Sequence, residues 1–314
     1  MTFLSHTRAV TKGAFAVGVL LSLLMFLSGT AVAENGATEP LVVRYPSLAN
    51  PYGQVYNHNY YLEMLHLALA SSGRDYRVET VPLPDFREVR SEISLATGVY
   101  DIHWLHTNRQ RETRLRPIRI PLLKGMIGWR LLLIPEQAQE RFSAITHVDQ
   151  LRKLRTVQGH DWPDALILQH NGFSVIRSAN WEGMFRMLAL GRVDYFPRGA
   201  TEVHSEIAQF PDHGLAVEQS LVLHYPSAYY FFVARDNDEL AEVIEKGLNV
   251  AIANGSFDQV FNTYFGEKIE AFDLNSRTVL RLENPLLPPK TPLERAELWF
   301  DPLQPPSEPA SLDD

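Results

Sequence analysis

The chain has 314 residues, 45% of them hydrophobic, with no cysteine and 37 acidic against 29 basic side chains, a formal charge of -8. That balance argues against nucleic-acid binding, which needs basic patches to neutralise phosphate. The lack of cysteine excludes disulfide staples and a lipid-modified cysteine tether.

The N-terminus addresses the compartment. Arg8 and Lys12 precede the apolar run AFAVGVLLSLLMFLSG, and Ala31-Val32-Ala33 supplies a small-x-small cleavage site. Residues 1–33 therefore read as a secretory signal peptide cut after Ala33; the alternative, an uncleaved anchor, is disfavoured by the short apolar run. Cleavage removes two basic and no acidic residues, taking the formal charge from -8 to -10. The expected product is a soluble periplasmic monomer of roughly 280 residues, enough for two lobes.

In chain order, LVVRYP (41–46) reads as a buried strand closed by proline. Tyr61, Leu62, Leu65 and Leu69 recur with helical period up to Gly73, a C-terminal stop. YRVETVPL is a second strand, a helix follows around 89–96, and YDIHW is a third strand. Alternating strands and helices predict an α/β fold with mostly parallel sheets covered by helices. Further on, RLLLIP, RTVQG and FSVIRSA read as strands. The helices between them have Thr146 and Asp161 as candidate caps, with Pro163 in the first turn of the second. WEGMFRMLAL is a helix, VEQSLVLHYP and AYYFFVARD carry apolar strands, and two helices meet at Asn254-Gly255. Residues 284–314, with eight prolines, six acids and two basic groups, read as an extended or disordered tail; Leu298, Trp299 and Phe300 are its candidates for docking.

Two distant segments match. LATGVYDIHW (95–104) and LALGRVDYFP (188–197) share Leu-Ala-x-Gly-x-x-Asp ahead of an apolar strand. Each reads as a helix end, a glycine suited to positive φ, and an aspartate opening a strand. One such device in each half predicts two similarly built lobes.

The order of these motifs resembles the bacterial extracellular solute-binding proteins of family 3, periplasmic receptors of polar amino-acid uptake. The likeness rests on LATGVYDIHWLHTNRQRE, PIRIPLLKGMIGWRLLLI, LALGRVDYF and NVAIANGSFDQVFNTYFG, and covers about residues 38–268. It implies a two-lobed fold, with lobe one at 36–126 and 222–283, lobe two at 127–221, and two crossing strands between them. It also implies a small-molecule ligand in the cleft, no cofactor, no catalysis, and an inner-membrane ABC permease as partner.

The chain departs from the family pattern at the ligand positions. The family's Thr-x-x-Arg turn becomes Thr107-Asn108-Arg109-Gln110-Arg111, so either Arg109 or Arg111 would grip a carboxylate. Its Gly-Ser or Gly-Thr helix start becomes Gly159-His160-Asp161-Trp162. The acid it carries four residues after the strand aspartate becomes Arg198, a reversal of charge that argues against an ordinary α-amino acid and fits a ligand with a second anionic group or one with no amine.

Ligands of open α/β sheets lie beyond strand C-termini, where Tyr45, Trp104, Thr107, Gly159, His160, Trp162 and Arg198 fall. Each also has a plain alternative. Arg198 could be a turn residue reaching water or pairing Glu202; Tyr45, Trp104 and Trp162 could be core; Asp161 could simply cap a helix. His103-x-x-His106 lacks the close ligands that a metal shell needs. Two further functions stay open: a dehydratase on the same fold using His160, Asp161 or Glu202, and a sensor subunit for a membrane kinase or cyclase.

Overall fold

A computed structural model describes residues 39–48, 58–83 and 88–301. The signal-peptide assignment at 1–33 and the end of the C-terminal tail, 302–314, lie outside the described residues. Among those described, no helix is long and apolar enough to cross a membrane.

The first elements are β1 (Leu41–Leu48), α1 (His58–Ser72), β2 (Tyr76–Leu83), α2 (Glu88–Ala96), β3 (Ile102–His106), α3 (Arg111–Arg114) and β4 (Leu115–Ile118). Next come β5 (Trp129–Pro135), α4 (Gln139–Ser143), α5 (Val148–Arg152), β6 (Arg155–Gly159), α6 (Pro163–His170), β7 (Ser174–Ser178) and α7 (Trp181–Ala189). They are followed by β8 (Phe196–Gly199), α8 (Val203–Ile207), β9 (Leu215–Val217), β10 (Leu221–His224) and β11 (Tyr229–Ala234). The chain closes with α9 (Asp238–Ala253), α10 (Ser256–Ala271) and β12 (Thr278–Arg281).

Strand pairing is mixed, which corrects the expectation of mostly parallel sheets. The pairs β1–β2, β6–β7 and β10–β12 are parallel. Strand β11 runs antiparallel between β3 and β4, and β5 is antiparallel to β8, β9 and β10. A strand returning from a distant part of the chain can enter a sheet in either direction, and local periodicity does not encode which. Tyr230, Phe231, Phe232 and Val233 are all buried because central β11 is covered on both faces.

The elements gather into two groups. Helix α1 packs on α9 and α10 beside β1 and β2, with Tyr60, Met64, Leu65, Ala68 and Leu69 inward at helical spacing. The β5-centred sheet and β6–β7 pack with α6 and α7. Strands β10 and β12 belong to the β5 sheet, so the segment 222–283 divides between the groups rather than lying wholly in the first.

The repeated motif folds identically in both. Gly98 and Gly191 take φ of 71° and 67°, and their amides donate to Leu95 O and Leu188 O. The Asp101 amide donates to Arg44 O at 2.9 Å, and the Asp194 amide to Arg155 O at 2.8 Å. In return the Arg44 amide donates to Asp101 Oδ2 at 2.7 Å and the Arg155 amide to Asp194 Oδ2 at 2.8 Å. Each aspartate also receives the guanidinium of the same arginine.

Other local expectations shift. Strand β8 runs through Pro197 and Arg198 instead of stopping at the proline; Leu132 faces Pro197 and Leu131 faces Arg198. Helix α5 is capped by His147 in a capping box with Gln150, not by Thr146. Helix α6 starts after Trp162, so Asp161 is not its cap.

The C-terminal segment is packed through residue 301, where an extended or disordered tail was expected. Asn171 Nδ2 donates to Glu283 O and Asn284 Nδ2 to Pro226 O, at 2.7 and 2.8 Å. Arg109 donates from its amide to Leu286 O and from Nε to Leu287 O. Arg295 reaches Asn249 at 3.1 Å, Leu298 is buried, and the Phe300 amide donates to Lys124 O at 2.7 Å.

Candidate functional site

Aromatic rings collect around β1 and β3, with Tyr45 and Trp104 inside those strands rather than beyond their C-terminal ends as the sequence suggested. Trp104 lies between Tyr61 and Tyr45, with ring centroids 4.8 and 5.3 Å away and near-parallel planes. His58 meets both Tyr45 and Trp104 at about this range. The Tyr45 hydroxyl is buried without a hydrogen-bond partner. Burial raises the Tyr45 pKa well above its ordinary value, so the phenol stays neutral. Tyr61, absent from the sequence-derived candidates, is what completes this stack; its place in the helical apolar stripe gave a core reading.

Below β3, Thr107 Oγ1 donates to Glu112 at 2.8 Å. Arg111 is buried and bound to Glu92 of α2 at 2.8 Å, with a further bond to His106 O. Arg109 is exposed and holds the C-terminal segment. Both arginines of the Thr-x-x-Arg-like turn thus have internal partners.

The second group contributes charge. Arg198 is only 6% exposed and forms a two-pronged pair with Glu206, Nε to Oε2 at 2.6 Å and Nη2 to Oε1. Glu202 accepts from the same Nη2 at 3.3 Å. The turn reading, a cation reaching into water, is thereby corrected: this guanidinium points inward. Its carbon sits 4.6 Å above the Trp162 ring and 5.0 Å from that of Phe196. Trp162 can fold back this way because position 159 is glycine; a Cβ there would stand 2.4 Å from the indole. His160 and Asp161 are exposed neighbours 3.6 Å apart at the surface of the turn.

Arg130 lies one step along the same sheet, opposite Gly199 and Leu223. It pairs with Asp164 at 2.6 Å, its guanidinium is 5.6 Å from the Tyr225 ring, and its buried Nε has no acceptor. Tyr225 donates its hydroxyl to Asp164. Burial pushes the Asp164 carboxyl up, but Arg130, His106 and the Tyr225 hydrogen bond outweigh it, leaving Asp164 ionised with a lowered pKa. Glu202 goes the other way: burial, with the charge of Glu206, raises it despite Arg198.

The two groups meet here. Tyr61 feels the charge of Glu202, Tyr229 that of Arg130, and His106 that of Asp164. His106 also bonds Ser227 at 2.7 Å. Arg130 and Glu202 were missed as ligand candidates. An arginine at the head of the apolar run RLLLI poses the same question in sequence as Arg198 does at the end of its strand.

No protein-family model and no curated protein matches the sequence. Solved structures do match in fold. An ancestral arginine-binding protein bound to glutamine superposes with TM-score 0.52 at 16% identity, over 72% of this chain and 98% of that one. The BvgS VFT2 domain of Bordetella pertussis gives 0.54 at 17%, over 71% and 93%. A periplasmic His/Glu/Gln/Arg/opine family-binding protein from Silicibacter pomeroyi, in complex with lysine, gives 0.52 at 12%, over 72% and 97%. The chain has the two-lobed periplasmic-binding-protein fold, of type II. At these identities the likeness carries the fold alone. Among the described residues no group of three or more acidic or histidine side chains is placed to hold a metal.

Proposed function

We propose that the protein is a periplasmic solute-binding protein which takes a small polar ligand between its lobes for uptake by an ABC transporter. Lobe one takes the described residues of 39–126 with 229–271, and lobe two 127–221 with β10 and β12. The observation that carries the reading is the meeting of the Tyr61–Trp104 stack with Arg130, Asp164, Arg198 and Glu202. These are recognition groups gathered where the halves face each other. Tyr45, Trp104 and Trp162 then give walls, and Thr107, Gly159 and His160 rim positions.

The anionic part of the ligand is assigned to Arg130, whose buried Nε–H lacks an acceptor. Arg198 and Arg111 are already matched by Glu206 and Glu92, so they position the wall. Glu202 takes only a single bond from Arg198, at 3.3 Å, and keeps acceptor capacity for a donor group such as an ammonium. A zwitterionic, amino-acid-like ligand satisfies both. The neighbours bound to glutamine and to lysine support that class by analogy of fold. Closure is favoured because a ligand touching both lobes gains its full binding energy only in the closed form.

The test is a thermal-shift screen of amino acids and small acids on the mature protein, followed by calorimetry on the best hit. A ligand that binds only the native state raises the Tm. Glu202→Gln is expected to weaken that ligand about tenfold or more, roughly 1.4 kcal/mol, while the protein stays folded. Unaltered affinity would remove Glu202 and the zwitterion reading. Loss of cellular uptake of the same ligand on gene deletion supports transport; unchanged uptake rejects it.

A further inference from the structure

A cavity of about 270 Å³ lies away from the aromatic stack, where β5, β10 and β12 are crossed by the C-terminal segment. Its apolar walls are Trp129, Trp299 and Phe300, while Arg277, Arg281 and His224 bring polarity. A cavity of about 150 Å³ suffices for benzene, so this space accommodates a ring with a carboxylate attached. We infer that it is a binding site for a small aromatic carboxylate, held by the rings of Trp129 and Trp299 and by the Arg281 guanidinium.

The charge argument is local. The lining holds three cations, Lys124, Arg277 and Arg281, and one carboxylate, Asp301, in a chain whose formal charge is -8. Lys124 is bound to Asp258 at 2.6 Å. Arg277 is spent on the carbonyls of Phe272, Glu218 and Leu221. Arg281 is exposed at the rim, with Nη1 3.4 Å from His224 Nδ1. A guanidinium can only donate, so His224 accepts at Nδ1 and keeps its proton on Nε2 as a further donor. His224 also packs on Trp129, centroids 4.2 Å apart. Burial, reinforced by Arg281, lowers its pKa to about 4, so the ring is neutral at pH 7. Flat walls, a forked cation and a neutral N–H donor suit a planar ring bearing a carboxylate better than a compact inorganic anion.

The protein's five tryptophans allow the site to be read directly. Trp129 and Trp299 line the cavity, Trp104 and Trp162 belong to the inter-lobe site, and Trp181 to neither. The experiment labels the mature protein with 5-fluorotryptophan and titrates benzoate to about 10 mM, the weak range expected of a small ligand. Resonances are assigned by single Trp→Phe variants. The expected result is saturable movement of the Trp129 and Trp299 signals. Arg281→Glu should weaken it at least tenfold, and Asp301→Asn should strengthen it. Movement confined to Trp104 and Trp162, no movement, or an equal response in Arg281→Glu would overturn the assignment. Because the inter-lobe tryptophans report separately, failure here is distinguishable from failure of the proposed uptake function.

Discussion

Asp101 and Asp194 each fasten an arginine on an earlier strand, both accepting its amide and Nε–H at Oδ2. Asp101 Oδ1 takes Arg44 Nη2, whereas Asp194 Oδ1 takes Arg141 and Arg155 Nη2 turns to Gly191 O. The strands leaving these turns then serve different ends. From Asp101 the chain runs into β3 and delivers Trp104 to a stack of rings. From Asp194 it runs into β8 and delivers Arg198 to two glutamates and an indole. The common turn sets where a strand begins; the residue three or four positions later sets what the lobe offers a ligand. Scaffold and recognition are thus written in adjacent but separate letters.

The largest expected contrast comes from removing one arginine in each lobe. Arg130→Met strands the buried Asp164 carboxylate and should cost about 3–5 kcal/mol. Arg44→Met, at a partly exposed pair, should cost under about 1 kcal/mol. Urea denaturation measures both. The double variant Arg130→Met/Asp164→Leu should regain at least half the loss. If Arg130→Met alone is neutral, the buried pair is not a structural unit.

Next come the two aspartates. Asp101→Asn and Asp194→Asn should each cost about 1 kcal/mol, allowing for solvent screening, and by similar amounts. A difference of several-fold would mean that the matching geometry hides unequal roles. Asp194 adds a pH signature. Burial pushes its carboxyl up, but the hydrogen bonds from Arg155 and Arg141 prevail, so the folded pKa is below the ordinary 3.8. Its contribution is therefore complete above that pH and lost as pH falls through the folded value. The stability gap between wild type and Asp194→Asn should close correspondingly in acid.

A last paired effect tests the turn itself. Gly98→Ala and Gly191→Ala meet no neighbouring atoms within 4 Å, so only the positive φ opposes a side chain. Each should cost about 1 kcal/mol, measurable as a paired drop in Tm.

The repeated turn was legible because its Leu-Ala-x-Gly-x-x-Asp residues lie within seven positions and have one conformational meaning, whereas the arginines they fasten lie 57 and 39 residues away and were not. Arg198 was visible as a cation at an apolar strand, but its environment was not. Glu206 reaches it from α8, eight residues on, and the Trp162 platform comes from another loop. Tyr61 was hidden by its helical spacing, which is the same for a core ring and for one at a cleft wall. The antiparallel entries of β8 and β11 depend on pairings between remote strands. The C-terminal segment was legible only in part: Leu298, Trp299 and Phe300 were named as docking residues and do pack, but proline-rich composition reports the cost of regular structure and hid the order of the rest through residue 301. A guanidinium in sequence likewise comes without its partners, so Glu206 and Glu92 beside Arg198 and Arg111 were not legible.

The stitched C-terminal segment has a consequence for how the molecule is made. Residues 283–300 join Asn171, Pro226, Arg109, Asn249 and Lys124, which belong to stretches synthesised far earlier. Helix α1 likewise waits for α9 before its apolar face is covered. The β6–β7 region, local in sequence, can form while the rest is still emerging, whereas the partners of α1, Arg109 and Lys124 arrive only with α9 and residues 286–300. Long-range closure of this kind slows folding. A chain built in this order remains pliable for most of its synthesis.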